Sequence, residues 1–297
     1  MTITAKIVAD SLSPAGVRLT TMELNYPRFI HSEFMTHRMF SRNASSSRAI
    51  PVEKMIASVE ASPAMPIHWG KNQPGMQARE EISQIEEATN EWNFASDNAV
   101  YHAEELHGLG VHKQVVNRLL EPFQYIKVIV TATEYDNFFK LRLHPDAQPE
   151  MMVLAEHMQN AINNSTPIEL SPGEWHTPYV TSENFTHMMV KDYSLTDVIK
   201  CSVARCARVS YLNHDNSQPN IDKDVALTDK LLEAGHLSPF EHVATPMPAN
   251  IYSDRFEFDC EWIDGITHID RRNGYWSGNF RGFLQYRQLL GNKNDNV

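Results

Sequence analysis

Apolar and polar positions along this chain follow two rhythms, and their order predicts a mixture of strands and helices. Residues 3–26 read as strands, with 17–24 alternating in part. Beyond Pro27, the positions Phe29, Ile30, Phe34, Met35 and Met39 recur at helical spacing, which predicts a helix over 28–40. Pro51 closes the polar stretch that follows. Pro63, Pro66, Gly70, Pro74 and Gly75 mark a loop over 63–77. Residues 78–108 carry a long helical pattern that Gly108 and Gly110 stop, and a second helix follows over 111–120, ahead of Pro122.

The run 125–131 is rich in β-formers and reads as a strand. Thr133 is placed to cap a short helix over 135–141, and Pro145 to start another that ends near Asn164. Residues 165–193, with Pro167, Pro172, Gly173 and Pro178, read as a turn-rich but ordered surface connection. Ser194 and Asp197 have the spacing of a capping box before a helix running to 208. Another helix over 222–234 ends at Gly235. The C-terminal part alternates short β-like runs with turns and finishes in an Arg/Gln-rich segment, 280–290, with no internal repeat or low-complexity tract anywhere.

With 297 residues, the chain is long enough to bury a large core, as one big domain or two small ones. Its 42% hydrophobic and 21% charged residues are ordinary for a soluble globular protein. A net charge of −11, from 26 basic and 37 acidic residues, argues against general nucleic-acid binding. The stretch 28–52 runs against that balance: it holds Arg28, Arg38, Arg42 and Arg48 against Glu33 alone, which suits one small anionic ligand. Cys201, Cys206 and Cys260 form no CxxC pair and no even set, so they read as reduced thiols in a cytoplasmic protein. The opening residues lack the apolar core of a signal peptide, and no apolar run is long enough to span a membrane.

Four segments carry candidate chemistry. The first, 37–48, packs His37, Arg38, Arg42, Arg48 and four serines into a dozen residues, offering cationic forks and hydroxyls for a phosphate and a planar ring. A solvated Ser/Arg loop is the plainer reading. The second is Arg118 with Pro122 ahead of a strand, where a surface ion pair is the ordinary expectation for the arginine. The third joins Asn137, Phe138, Leu141 and Arg142 to Ala147, Gln148 and Glu150, a site or else a packed helix corner with Glu150 as the arginine's partner. The fourth pairs Ala207–Ser210 with Gly235–His242, where Ser238 and Glu241 have the spacing of a second capping box. His236 and His242 find no third ligand at useful spacing, so no metal site is expected.

Taken together, these segments resemble the flavin-dependent thymidylate synthase family. The family's Arg-His-Arg, Ser and Ser-x-Arg run is matched by His37, Arg38, Ser41, Ser46 and Arg48, and its Arg…Pro pair by Arg118 and Pro122. Its Asn-Phe-Leu-x-Leu-Arg and Ala-Gln-x-Glu runs are matched at Asn137 to Glu150, and its Ala-Arg-x-Ser and Gly-His-x-Ser-Pro-Phe-Glu-His runs at 207–210 and 235–242. The last two precede the Arg-His-Arg helix in the family and come last here, so the chain looks circularly permuted. Thr36 replaces the first arginine, Ala44 an acidic residue, and Glu33 stands where a substrate-contacting glutamine is expected. Gln285 and Arg287 are the expected replacements, because a permuted tail would end near the start of that helix.

The resemblance implies an α+β fold, a twisted and mainly antiparallel sheet flanked by helices. It implies one catalytic domain over 1–297, with a nucleotide-binding half, 1–165, joined through the turn-rich connection to a flavin-contacting half, 194–297. The implied reaction is reductive methylation of dUMP at C5, with methylenetetrahydrofolate giving the carbon and NADPH reducing FAD, and no cysteine nucleophile. Arg142 would stabilise charge developing on the pyrimidine. Ser46, Ser47, Arg48 and Arg118, with Arg142, would bind the nucleotide; His37, Arg38, Asn137, Ser210, His236, Ser238 and Glu241 would hold FAD. A cytoplasmic homotetramer with active sites shared between subunits is implied too. The same scaffold with altered chemistry, such as dUMP hydroxymethylation, and a non-catalytic flavin- or nucleotide-binding protein are the alternatives.

Overall fold

Two apolar strands supply the centre of the structure. In the computed structural model, which describes residues 2–210, 217–248 and 263–291, β1 (Thr4–Leu12) turns at Gly16 into β2 (Arg18–Pro27). Gly16 sits at φ +73, a left-handed conformation that a side chain disfavours. A short helix α1 (His31–Phe34) and a strand β3 (Ser41–Ala44) come next, then α2 (Val52–Ala61), α3 (Ile85–Gly108) and α4 (Lys113–Leu119). β4 (Tyr125–Ala132) leads through α5 (Asp136–Arg142) and α6 (Pro149–Asn163) to the two-residue β5 (Ile168–Glu169). The sheet order is β3-β4-β2-β1-β5, antiparallel throughout except for the β1–β5 edge.

Both faces of this sheet are covered, which is why β4 reads as a continuous apolar run and not an alternating one. On one face Ile126, Val128, Val130 and Ala132 meet Met22, Leu24 and Tyr26 of β2 and Met151, Leu154 and Met158 of α6. On the other face Ile129 packs with Tyr179, Cys206 and Val209. α2, α3 and α4 gather a separate cluster around Val59, Val100, Val116 and Leu120.

The C-terminal elements are α7 (Ser182–Val190), α8 (Leu195–Arg208) and α9 (Ile221–Glu233), then β6 (Ala244–Pro246), β7 (His268–Ile269), β8 (Tyr275–Ser277), β9 (Phe280–Arg281), β10 (Phe283–Gln285) and α10 (Tyr286–Leu289). The architecture is α+β with mainly antiparallel sheets flanked by helices, as expected. Among the described residues no helix is long and apolar enough to cross a membrane. Cys201 and Cys206 are free and buried, while Cys260 lies outside the described residues.

α8 opens on the capping box that Ser194 and Asp197 predicted, with both reciprocal bonds present. Its far end is tied by charge. Asp224, fully buried on α9, accepts from Arg205 Nε at 3.1 Å and Arg208 NH1 at 2.7 Å, and Arg205 also donates to the Tyr179 carbonyl at 2.8 Å. Removing one member of such a set leaves buried charge uncompensated. Asp224→Asn is therefore expected to destabilise the fold by about 3 kcal/mol, read as a fall in thermal midpoint.

Local expectations fail where tertiary pairing overrides pattern. The predicted helix over 28–40 is a 3-10 turn at Arg28–Ile30 followed by α1 alone. Residues 41–44 instead pair with the open edge of β4, Ser41 opposite Thr131 and Ala44 opposite Val128. Phe34 and Phe40 are buried by this arrangement, whereas Met35 and Met39, taken as helix-face residues, are exposed. The long helix starts at Ile85, not 78, because Gly70 and Glu81 bridge across the preceding loop. Thr133 caps nothing: its hydroxyl accepts from the Arg281 backbone N–H at 3.2 Å. The helix after it begins at Pro149, capped by Gln148, and not at Pro145. α7, within the stretch read as turn-rich connection, is capped by Thr181; α2, which no reading predicted, starts at Val52, just after Pro51.

Candidate active site

Arg142 ends α5, where the helix delivers it beside the turn that follows α1. Its Nε donates to His37 Nε2 at 2.9 Å, and its NH1 is hydrogen-bonded to Glu33 Oε1. The donor fixes His37 with Nε2 as the acceptor, so the ring is neutral and carries its proton on Nδ1. Burial, then the nearby Arg142 and Arg42 charges, pushes its pKa down to about 4. Phe138 stands edge-on to the imidazole with centroids 4.8 Å apart, and Phe40 lies close by, so the arginine emerges beside an aromatic wall. Glu150 does not serve as the partner of Arg142. It accepts from the Ile67 backbone N–H at 2.8 Å and is hydrogen-bonded to Gln148 Nε2.

A second basic cluster lies farther along the same strip. Arg42, on β3, clamps the turn by donating to the carbonyls of Met35 at 2.8 Å and His37 at 3.0 Å. The neighbouring His31 accepts or donates one bond with the Tyr26 hydroxyl at 2.9 Å. Its pKa is lowered by burial and by both Arg28 and Arg42, with Glu121 opposing the shift. Arg28 then donates to Glu121 Oε1 at 2.8 Å, Arg118 to the same oxygen at 3.0 Å and the Ser47 hydroxyl to it at 3.3 Å. Ser46 accepts from the Arg48 backbone N–H, and the Arg48 guanidinium has no partner among the described residues. Asn117, fully buried, anchors the serine turn by donating to the carbonyls of Ser47 at 2.7 Å and Ile50 at 3.0 Å.

The fourth segment reaches the first across most of the chain. Residues 238–242 form a 3-10 turn packed on β3. Ser238 makes no capping bond, so the predicted second box is absent, and Glu241 is instead ion-paired to Arg287. Gln285 binds the Glu241 carbonyl at 3.0 Å and Ser41 Oγ at 3.2 Å, and Asn279 donates to the Met39 carbonyl at 2.8 Å. The C-terminal segment thus closes onto the Ser/Arg stretch, where Gln285 and Arg287 were expected to lie. Asn279 gave no signal in the sequence.

Behind this surface a buried polar chain crosses the sheet. Ser11 Oγ meets His176 Nδ1 at 2.8 Å, His176 Nε2 meets Thr21 Oγ1 at 2.7 Å, Thr21 meets Thr131 at 2.7 Å, and Thr131 meets His242 Nδ1 at 2.8 Å. Both rings are fully buried, and His242 Nε2 has no partner among the described residues.

Of the expected site residues, His37 and Arg142 touch, Ser47 and Arg118 share a carboxylate, and Glu241 lies against the β3 side through Gln285. Arg38, Asn137, His236 and Ser238 are exposed and make no side-chain hydrogen bond among the described residues. Ser210 follows Val209, the C-cap of α8, its backbone N–H donating to the Arg205 carbonyl at 3.2 Å, and its side chain makes no hydrogen bond among the described residues. Cys201 is buried with its thiol pushed up to about 12 by burial, and Cys206 is raised by burial too, which suits packing and not nucleophilic attack.

A family model described as thymidylate synthase complementing protein matches residues 9–168, over half of the chain, and takes in the first three segments. Comparison of the sequence with curated proteins gives no match. Among solved structures the chain is similar to a UMP/dUMP methylase, PolB from Streptomyces cacaoi bound with 5-Br UMP, at 18% identity and TM-score 0.45 over 54% of this chain and 88% of that one. The same protein bound with 5-Br dUMP gives 17% identity and TM-score 0.44 over 54% and 89%.

Proposed function

This chain belongs to the thymidylate synthase complementing protein family, and from that premise we propose that it is a flavin-dependent thymidylate synthase, methylating dUMP at C5 with methylenetetrahydrofolate and NADPH. The observation that carries the reading is Arg142, held beside Phe138 by a neutral imidazole, with Arg42 and His31 lying between it and the cluster of Arg28, Arg118 and Ser47. One end suits a pyrimidine and the other a phosphate.

In this reading the base lies against the Phe138 side of the strip and its carbonyl edge takes N–H donors from Arg142. As C5 reacts, negative charge grows on the ring, and a guanidinium already in place stabilises it without reorganising. His37, uncharged, holds the guanidinium plane and adds no competing positive charge. Ser46, Ser47, Arg48 and Arg118 take the phosphate and sugar.

The residues present fit a flavin by the chemistry of their donors: Arg38, Asn137, His236 and Ser238 are exposed polar groups without partners in the described chain. Together with His37, Ser210 and Glu241 they would hold FAD, which would supply the hydride. Because these groups sit on an open surface, we assign the working enzyme as a homotetramer in which neighbouring subunits complete each site, and its free cysteines fit a cytoplasmic protein.

The ion pair of Glu33 with Arg142 and the exposed Ala44 on β3 favour a second reading, the same scaffold with altered C5 chemistry such as hydroxymethylation. One experiment separates the two. Purified protein with bound flavin bands in its absorbance spectrum is incubated with dUMP, methylenetetrahydrofolate and NADPH. A product heavier than dUMP by one CH2, a methyl in place of the C5 hydrogen, supports the thymidylate reading. A hydroxymethylated product replaces it with the second, and colourless protein that leaves dUMP unchanged removes both.

A further inference from the structure

We propose that Arg28 binds the phosphate of the substrate nucleotide, completing with Arg118 and Ser47 a pocket that the Glu121 carboxylate occupies when no nucleotide is bound. This rests on the reading of a pyrimidine nucleoside monophosphate as substrate.

The geometry at Glu121 is donor-rich. Arg28, Arg118 and Ser47 all converge on Oε1, at 2.8, 3.0 and 3.3 Å. One carboxylate oxygen has about two lone pairs, so three donors exceed what it can accept well. Each guanidinium spends a single N–H there and has four left. Charge is unbalanced in the same sense: Arg28 and Arg118 share one carboxylate. A phosphate monoester, which carries about −1.5 to −2 near neutral pH, would match both guanidinium charges in its place. A phosphoryl group, with three acceptor oxygens, would satisfy donors that one carboxylate oxygen cannot.

Arg28 is suited to this by its place. Its backbone N–H is fixed to the Gln124 carbonyl at 2.8 Å, tying it to the turn that carries Glu121. Its side chain is only 19% exposed, less than the 57% of Arg118, so its charge is less screened by water. A plainer role is that Arg28 only braces Glu121. A brace would act on stability and on every ligand alike, whereas a phosphate ligand acts on the phosphate alone.

The experiment compares dUMP with deoxyuridine on the full-length protein by titration calorimetry, for the wild type, R28A and R28K. Expected are a fall in dUMP affinity of about tenfold or more in R28A, an unchanged affinity for deoxyuridine, and partial recovery of dUMP binding in R28K. Inorganic phosphate should compete with dUMP on the wild type and more weakly on R28A. If R28A keeps the wild-type ratio of dUMP to deoxyuridine affinity, or loses both ligands equally, the proposal is overturned. R28Q serves in the same comparison should R28A lose its folded circular dichroism. Wild-type protein that binds neither ligand would overturn the nucleotide reading itself, and the role of Arg28 with it.

Discussion

Arg142→Ala is expected to lower turnover by about 10²–10³-fold while the protein stays folded and still binds nucleotide. The guanidinium lies at the end of a helix, so its removal leaves the helix itself in place. What disappears, on the proposed reading, is a pair of preorganised donors for the edge of the base. Their strength counts most when charge has developed on the ring, so kcat should fall much further than nucleotide affinity. Lysine at this position restores charge but not the planar fork, and should recover only part of the rate. His37 reports the same change independently. Its pKa is lowered first by burial and then by Arg142 and Arg42. In the alanine variant it should rise from about 4 yet stay below the ordinary histidine value, because burial persists; NMR titration of the ring measures this. Single-turnover rates equal to wild type would remove Arg142 from the chemistry.

The second large effect is on stability in acid. His176 and His242 are both fully buried and both pushed down to about 3, chiefly by burial; Asp10 opposes the shift at His176, and His176 adds to it at His242. The unfolded chain has ordinary imidazoles that titrate near 6.5. Between these values the unfolded state takes up protons that the folded state refuses, so stability is complete above about pH 6.5 and drains away as the pH falls toward 3. Each ring contributes a slope of ~1.4 kcal/mol per pH unit, roughly 3 kcal/mol per unit for the pair. Urea midpoints should therefore drop steeply between pH 6.5 and 4.5. The double variant His176→Asn, His242→Asn should show a flatter profile whatever its absolute stability. An unchanged slope would mean that the rings are not held neutral in the folded protein.

How far the chain reveals itself depends on how local the cause is. The sheet centre is legible because β2 alternates in part and β4 is a nearly continuous apolar run, patterns that survive without knowledge of the partners. The start of α8 is legible because Ser194 and Asp197 cap it within one turn, and the end of α9 because Gly235, at φ +71, can reverse the chain. β3 is not legible. Ser41–Ala44 has no strand pattern of its own, and only the unpaired edge of β4 makes it extended. The site shows the same division. Candidate residues could be named from motif resemblance, and Arg28 counted from charge, but nothing local says that Arg142 meets Glu33 or that one oxygen of Glu121 gathers three donors. Distances of that kind are set by the whole fold.

The clasp of Asn279 and Gln285 on Met39 and Ser41 has a bearing on the order in which the protein is made. Chains leave the ribosome from the N-terminus at about 5–20 residues per second, so the first hairpin is available many seconds before the residues that fasten its neighbour. Until Asn279 and Gln285 emerge, the Ser/Arg stretch lacks these bonds. Nascent protein would fasten this stretch only after the sheet beneath it has had time to form.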